Sequence, residues 1–537
     1  MGVLRAHRSV FLLITAIVLA SPCISQQESL GDVARKVRDN KKDDVLVNKD
    51  DAKELFQSIS KIMAFSSEDS GFGRRTAVNH KMVGRADVER HFAEGMKDAI
   101  REQHLEESQL VLKKFGMLPP DFDLATFEAK NSAKSLGGFY DFRDKTMYLL
   151  NWIPVDAQKA IMAHELTHAL QDQNFNLMRF QDFATGKEKP QGARMAVDEV
   201  DRGEMSSARR AVVEGQATIV YYDYKLEPYH ANLSDGSGVL DYIKDAITSS
   251  YDNEVVFHNA PRLLRETSIF PYREGFAFEL ELLKRGGRSM AFSGPYSRPP
   301  RDTHEILQPE AYISGSHVAP VKIPDLAPIM GSAYEAYDSG TMGELDVQVM
   351  AQEFGIDNDI YSVARKWNGG AYVALKKTSH PKDAAMTTAD LAVVYLSKWA
   401  TEKAATRFAE IYMNALGKRV RITESPTIST HDCEAARCPS PLWEAHLVTT
   451  EGPVNLEVWP KATLLITESI DDATVSKMRI PLLVPPGGKR TTLGNSSCRS
   501  DELATRLFNS PGFAALGERW AVESLVRATQ KIVRPHE

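Results

Sequence analysis

Ile161-Met162-Ala163-His164-Glu165-Leu166-Thr167-His168-Ala169-Leu170 is the stretch that decides the reading of this 537-residue chain. No proline or glycine breaks it. Met162, Leu166, Ala169 and Leu170 recur at helical spacing, a stripe suited to face a core. The pattern predicts a helix from about Asp156 to Asp172. His164 and His168, four residues apart, then stack on one face and offer both imidazoles to one point. Glu165 lies one position on, angled beside that point rather than at it.

His-Glu-x-x-His on a helix is an arrangement in which two imidazoles hold zinc while the glutamate serves as general base. A catalytic zinc takes three protein ligands, so a third must come from elsewhere. A histidine just past the helix is ruled out, because residues 169–177 read ALQDQNFNL. A glutamate on a following helix is the other solution. Glu214, in Arg210-Ala211-Val212-Val213-Glu214-Gly215-Gln216-Ala217-Thr218, sits among small and apolar residues, where an unpaired carboxylate is costly. Glu204, in a more polar stretch, is the second choice. The residues thus imply one zinc ion (Zn2+) per chain, held by His164, His168 and Glu214, with Glu165 as base. Asp172 and Thr218, each one turn past a ligand, are candidates to orient it. Tyr221, Tyr222, Tyr272 and His304 are candidate donors to an oxyanion, and the sequence does not choose among them.

Upstream, Gly137 to Leu150 (GGFYDFRDKTMYLL) reads as a β-hairpin turning at Arg143-Asp144-Lys145. It is placed either as scaffold or as an edge strand that pairs with an extended peptide. Asp87 to Phe115 has a helical pattern that stops at Pro119-Pro120. Ser206 to about Tyr224 is a further helix, and Thr185 to Gly203 reads as a surface loop. From Met342-Gly343-Glu344 onward, helices (Gly343–Glu353, Thr401–Leu416) mix with strand-like runs (Ala371–Leu375, Leu391–Leu396, Leu464–Glu468). The expected class is α+β. A helix-rich catalytic domain with an edge hairpin covers 76–340, and a smaller mixed α/β C-terminal domain covers 341–537, because one core rarely serves a chain this long.

The N-terminus carries a different signal. Arg5, His7 and Arg8 precede the apolar run Val10–Ala20, and small residues lead to Ser25-Gln26. That is the layout of a signal peptide over 1–25, and the run falls short of the roughly 20 residues a membrane-spanning helix needs. The chain is therefore expected to be exported, to the periplasm or beyond, touching a membrane only if that segment is retained. Residues 26–75, charge-dense at Lys41-Lys42-Asp43-Asp44, read as a polar lead-in. Once Cys23 leaves with the signal, Cys433, Cys438 and Cys498 remain, and a Cys433–Cys438 disulfide or a link from either to Cys498 suits an oxidising compartment. A net charge of −7 without a basic tract argues against nucleic acid as a partner.

HELTHALQDQNF at 164–175, followed by VEGQAT at 213–218, resembles the gluzincin clan of HExxH zinc metallopeptidases. More narrowly, it is similar to exported bacterial proteins that share the HELTHALQDQ-type helix. Phe270-Pro271-Tyr272-Arg273-Glu274-Gly275, Thr303 to Tyr312 and Trp367-Asn368-Gly369-Gly370 also fit that group, so the resemblance spans about 75–415. It implies the ligands and base named above, a zincin-like catalytic domain, and hydrolysis of peptide or protein substrates. Thermolysin-like members often carry an acidic residue one turn after the ligand glutamate, where this chain has Thr218. An exported binding or assembly factor that keeps zinc structurally, with recognition beyond residue 415, is the alternative. A zinc hydrolase of non-peptide amides or esters is a third reading.

Overall fold

A computed structural model describes residues 47–95, 99–131, 138–181, 195, 197, 202–235, 239–253, 259–355, 360–381, 383–431 and 440–483. The expected signal peptide, Lys41–Asp44, all four cysteines and most of 185–203 lie outside the described residues.

The chain is α+β, and the first element already departs from the sequence reading. Beyond Asn48 the segment expected to be a polar lead-in is helix α1 (Lys49–Ser70), started by an Asn48–Asp51 capping box and stopped by Gly71 at φ 76°. Leu55, Ile59, Ile62, Met63 and Ser66 are buried along one face. Charged residues crowd the first turns and hide that stripe from a reading by composition. Strand β1 (Asn79–Val83), helices α2 (Arg85–Gly95), α3 (Ala99–Lys114) and α4 (Leu124–Asn131), and strands β2 (Gly138–Asp141) and β3 (Thr146–Leu150) follow. The helix expected over Asp87–Phe115 is seen as α2 and α3, with 96–98 outside the described residues. The hairpin forms as expected, with Tyr140 opposite Met147. β1 joins β3 in parallel, from Asn79–Thr146 to Val83–Leu150, a strand that its exposed Asn79-His80-Lys81 disguises in the sequence. The order β1-β3-β2 leaves β2 as an edge.

Three long helices make the centre: α5 (Val155–Phe175), α6 (Arg202–Leu226) and α8 (Arg262–Arg288), with α7 (Val239–Asn253) between the last two. α1 packs on α5, where the Ser66 hydroxyl donates to the Ala163 carbonyl at 3.2 Å. α6 is clasped between α5 and α8. At the α6–α8 crossing the backbones meet: a β-carbon on Gly215 would strike the Gly275 carbonyl, and one on Gly275 would strike the Ala211 carbonyl.

The second half is a seven-stranded antiparallel sheet ordered β4-β5-β6-β10-β9-β8-β7. Its strands are β4 (Tyr334–Thr341), β5 (Trp367–Lys377), β6 (Leu391–Trp399), β7 (Thr427–Thr430), β8 (Trp443–Thr449), β9 (Gly452–Trp459) and β10 (Thr463–Glu468). Helices α9 (Glu344–Phe354) and α10 (Glu402–Arg419) lie on the side of the helical centre, and α11 (Asp472–Leu483) on the other. Tyr372, Val393, Tyr395 and Ile466 join Phe408 and Tyr412 of α10 in one core that runs on to Met162 and Leu166 of α5. Val373, Leu375, Val394 and Leu465 face the opposite way, against Val475 and Met478 of α11. Burial on both faces is why β5, β6 and β10 read as unbroken apolar runs, whereas β8, with every second residue only half-buried, does not.

Two acidic residues share the joint between α1 and α6. Asp69 and Asp223 are buried, with Arg288 Nη2 at 2.7 Å from Asp69 Oδ1 and 3.8 Å from Asp223 Oδ2. Burial, with the neighbouring Asp69 charge, pushes Asp223 up to about 8. Burial pushes Asp69 up to about 6 against the pull of Arg288.

Two consequences are testable. Gly275→Ala is expected to lower the melting temperature, overpacking of this kind costing about 1–3 kcal/mol; a melt by circular dichroism that matches the wild type would contradict the crossing. Because both aspartates hold protons in the fold that the unfolded chain releases near pH 4, their contribution to stability falls as pH rises from about 4 to 8. Asp223→Asn keeps the Oδ1 acceptor for the Leu233 N–H (2.6 Å) and cannot ionise. It should raise the melting temperature at pH 8 and change it far less at pH 5.

Candidate metal centre

α5 turns His164, Glu165 and His168 into the helical centre, and α6 brings Glu214 to meet them. His164 and Glu165 are fully buried, and His168 and Glu214 are each 4% exposed. His164 Nε2 lies 3.0 Å from His168 Nε2, and Glu214 Oε2 lies 3.3 Å from each. The two rings stand at 89° to one another. Donors about 2.0–2.1 Å from a tetrahedral zinc are separated by edges of about 3.3 Å, so this triangle has the size a zinc ion requires. Among the described residues it is the one cluster of three His, Cys, Asp or Glu side chains with metal-binding spacing.

The electrostatics fit a cation. Burial alone would raise the Glu214 carboxyl, but His168 and His164 hold it below the usual carboxylate range. Burial pushes the His164 imidazole down, only partly offset by Glu214. The cluster therefore sets an ionised Glu214 carboxylate beside a His164 imidazole that burial keeps from charging, and two ring nitrogens and a carboxylate oxygen converge where a cation would be held. Arg210 Nε is 3.9 Å from Glu214 Oε1, on the side away from the histidines' shared oxygen.

Glu165 stands beside the triangle and not in it. Its Oε2 accepts the Tyr140 N–H of edge strand β2 at 2.9 Å, and its Oε1 makes no hydrogen bond among the described residues. Burial, and then the Glu214 charge, push it well above the usual carboxylate range. Gly138 of the same strand packs close to this helix: a β-carbon there would come within 3.0 Å of Ile161 and 3.8 Å of Glu165.

The residue that orients His168 is one the sequence reading passed over. His168 Nδ1 donates to Gln171 Oε1 at 2.8 Å. The amide's orientation follows from its other end, where Nε2 donates to the Val213 carbonyl (2.9 Å) and to Gln216 Oε1 (3.0 Å). Gln216 is anchored in turn by the Tyr296 hydroxyl at 3.0 Å and by the Ala291 carbonyl at 2.8 Å. The proton is thereby fixed on His168 Nδ1, and the Nε2 lone pair is left for a metal. The three-residue step from His168 to Gln171 on one helical face was the available signal.

Other expectations are corrected. Asp172 does not touch a ligand; its Oδ2 takes the Tyr140 hydroxyl (2.9 Å) and Lys145 Nζ (2.6 Å), fastening the hairpin to α5. The Thr218 hydroxyl is buried without a hydrogen bond. Glu204 lies in the buried first turn of α6, not in a polar loop, and accepts the Thr303 N–H and hydroxyl at 2.9 and 2.8 Å. Ten residues of helix, about 15 Å, separate it from Glu214. His304 pairs with Glu344 at 2.5 Å, next to that same distant end. Of the candidate tyrosines, Tyr272 on α8 lies nearest the triangle, its ring 6.5 Å from that of His164. Tyr221 and Tyr222 are two turns along α6 and pack on each other.

No family model, curated protein or solved structure matches this chain. Gln171→Leu is expected to weaken zinc binding about 10- to 100-fold, while Gln171→Glu, which keeps an acceptor for Nδ1–H, should retain it. Competition with a coloured chelator measures both; equal affinities would remove Gln171 from this role.

Proposed function

We propose that the chain is an exported, gluzincin-type zinc peptidase, with His164, His168 and Glu214 as ligands and Glu165 as general base. The observation that carries the reading is the buried triangle of zinc-ligand dimensions with a free carboxylate oxygen beside it. Bound zinc supplies Lewis acidity, polarising a carbonyl and acidifying water. Glu165 then has the task of accepting a proton at Oε1, and its raised pKa makes its ionised form a competent base. The Tyr140 N–H steadies Oε2 while Oε1 works. The outer edge of β2, whose Tyr140 N–H is taken by Glu165, runs beside that residue, and in this proposal an extended peptide pairs with the rest of the strand and presents its carbonyl to the metal. The Tyr272 hydroxyl is the proposed donor to the oxyanion. A zincin-like arrangement of the catalytic half belongs to the same proposal, as does export through residues 1–25.

Glu165→Gln should keep stoichiometric zinc and lower cleavage of a mixed peptide library by about 10²- to 10⁴-fold, and chelation of the wild type should abolish it. Zinc-loaded wild type without cleavage would favour the binding-factor reading, and a variant as active as the wild type would remove Glu165 from the role of base.

A further inference from the structure

Tyr140 grips the metal helix at two points. Its N–H donates to Glu165 Oε2 at 2.9 Å, and its hydroxyl donates to Asp172 Oδ2, also at 2.9 Å. Glu165 and Asp172 stand seven residues apart on α5, two turns or about 10 Å, and so project from one face. A tyrosine laid along that face reaches from one to the other, with its backbone nitrogen at one end and its hydroxyl at the other. Both contacts are buried, as are all three residues.

Asp172 is itself tied down. Its Oδ2 also takes Lys145 Nζ at 2.6 Å, from the turn of the same hairpin. Its Oδ1 accepts the Leu177 N–H at 3.2 Å, just past the end of α5. Three donors thus fix the carboxylate, and two of them, on Tyr140 and Lys145, belong to the hairpin. In a buried joint, apolar residues of similar volume are often at least as stabilising as a charged set. What the charged set adds here is direction. β2 is a four-residue strand with a strand neighbour on one side only, and the hydrogen bond it gives to Glu165 depends on where it lies along α5.

We propose that Asp172 and the Tyr140 hydroxyl are positioning residues for the base. They set the height of β2 along α5, so that the Tyr140 N–H holds Glu165 Oε2 and leaves Oε1 for the proton. Asp172 acts through Tyr140 and touches no metal ligand. The role rests on Glu165 being the base of a zinc peptidase.

Tyr140→Phe keeps the ring and the backbone N–H and removes the hydroxyl alone. On a peptide that the wild type cleaves, it should lower kcat about tenfold, with KM within twofold and zinc affinity unchanged. Asp172→Leu should do the same, and the double variant should be no slower than either single one, because the pair acts as a unit. In a Glu165→Gln background, Tyr140→Phe should leave kcat as it is, since no base remains to be positioned. Hydrogen–deuterium exchange resolved to single amides gives a readout apart from activity. The Tyr140 amide should exchange about tenfold faster in Tyr140→Phe, with α5 and α6 as in the wild type. An unchanged kcat, a raised KM at unchanged kcat, a loss of zinc, or an equal fall in the Glu165→Gln background would overturn the proposal, whether or not Asp172→Leu folds. An unaltered Tyr140 amide would overturn it as well. If the wild type cleaves nothing, the peptidase reading fails by itself, and the exchange alone decides whether the Tyr140 hydroxyl holds its N–H on Glu165.

Discussion

The metal centre depends on a contact that contains no functional group, the crossing of α6 on α8 at Gly215 and Gly275. Successive helical residues are turned by about 100°, so Glu214, Gly215 and Gln216 face three different neighbours. Gly215 lets the α8 backbone come into contact. Glu214 reaches His164 and His168, and Gln216 meets Gln171 and Tyr296. The depth of the crossing therefore fixes both a ligand and the network that orients another. A methyl group at either glycine would move all three together.

A buried carboxylate triad raises the question of what holds the charge in check. Glu165, Glu214 and Glu279 are all buried within these helices. Glu279 packs against Gly215, and burial pushes it well above the usual range, with Gln216 only partly offsetting this. Of the three, Glu214 alone is held as an anion, because two imidazoles and Arg210 surround it. The helical centre thus concentrates negative charge at the one point where two nitrogen lone pairs also converge. Burial raises Glu165 and Glu279 above the usual carboxylate range, and the two ring nitrogens and one carboxylate oxygen that converge beside them are a set that a dication would match.

Much of the site was legible because helical periodicity links spacing to direction. His164, Glu165 and His168 needed only the four-residue repeat, and Glu214 needed only a carboxylate with no apolar excuse. Where the sequence reading strayed, the missing information was tertiary. Asp172 sits at the right spacing to follow His168, but the hairpin claims it through Tyr140 and Lys145. Glu204 looked solvated because nothing local shows that Thr303 and Gly343 close over it. α1 and β1 have too many charges for composition to reveal that each buries or pairs one side. β4, β7 and β8 escaped because part of each strand is left uncovered, and β9 because Asn455 and Glu457 interrupt its buried apolar run.

The same reasoning bears on whether the C-terminal half is a separable module. Lys114, the last residue of α3, is fully buried, with Nζ on Glu451 at 2.7 Å, Ser469 Oγ at 3.2 Å and the Thr388 carbonyl at 3.0 Å. All three partners belong to the sheet half. Stripping them away would remove every polar partner that anchors the end of α3 to the sheet. The core that holds Met162 and Leu166 behind the metal helix also continues without a break into Tyr372 and Phe408. Cutting the chain near residue 340 would therefore expose the back of α5. The sheet half is first of all the wall against which α5 is packed, and any recognition it performs is carried by a unit that shares one core with the helical centre.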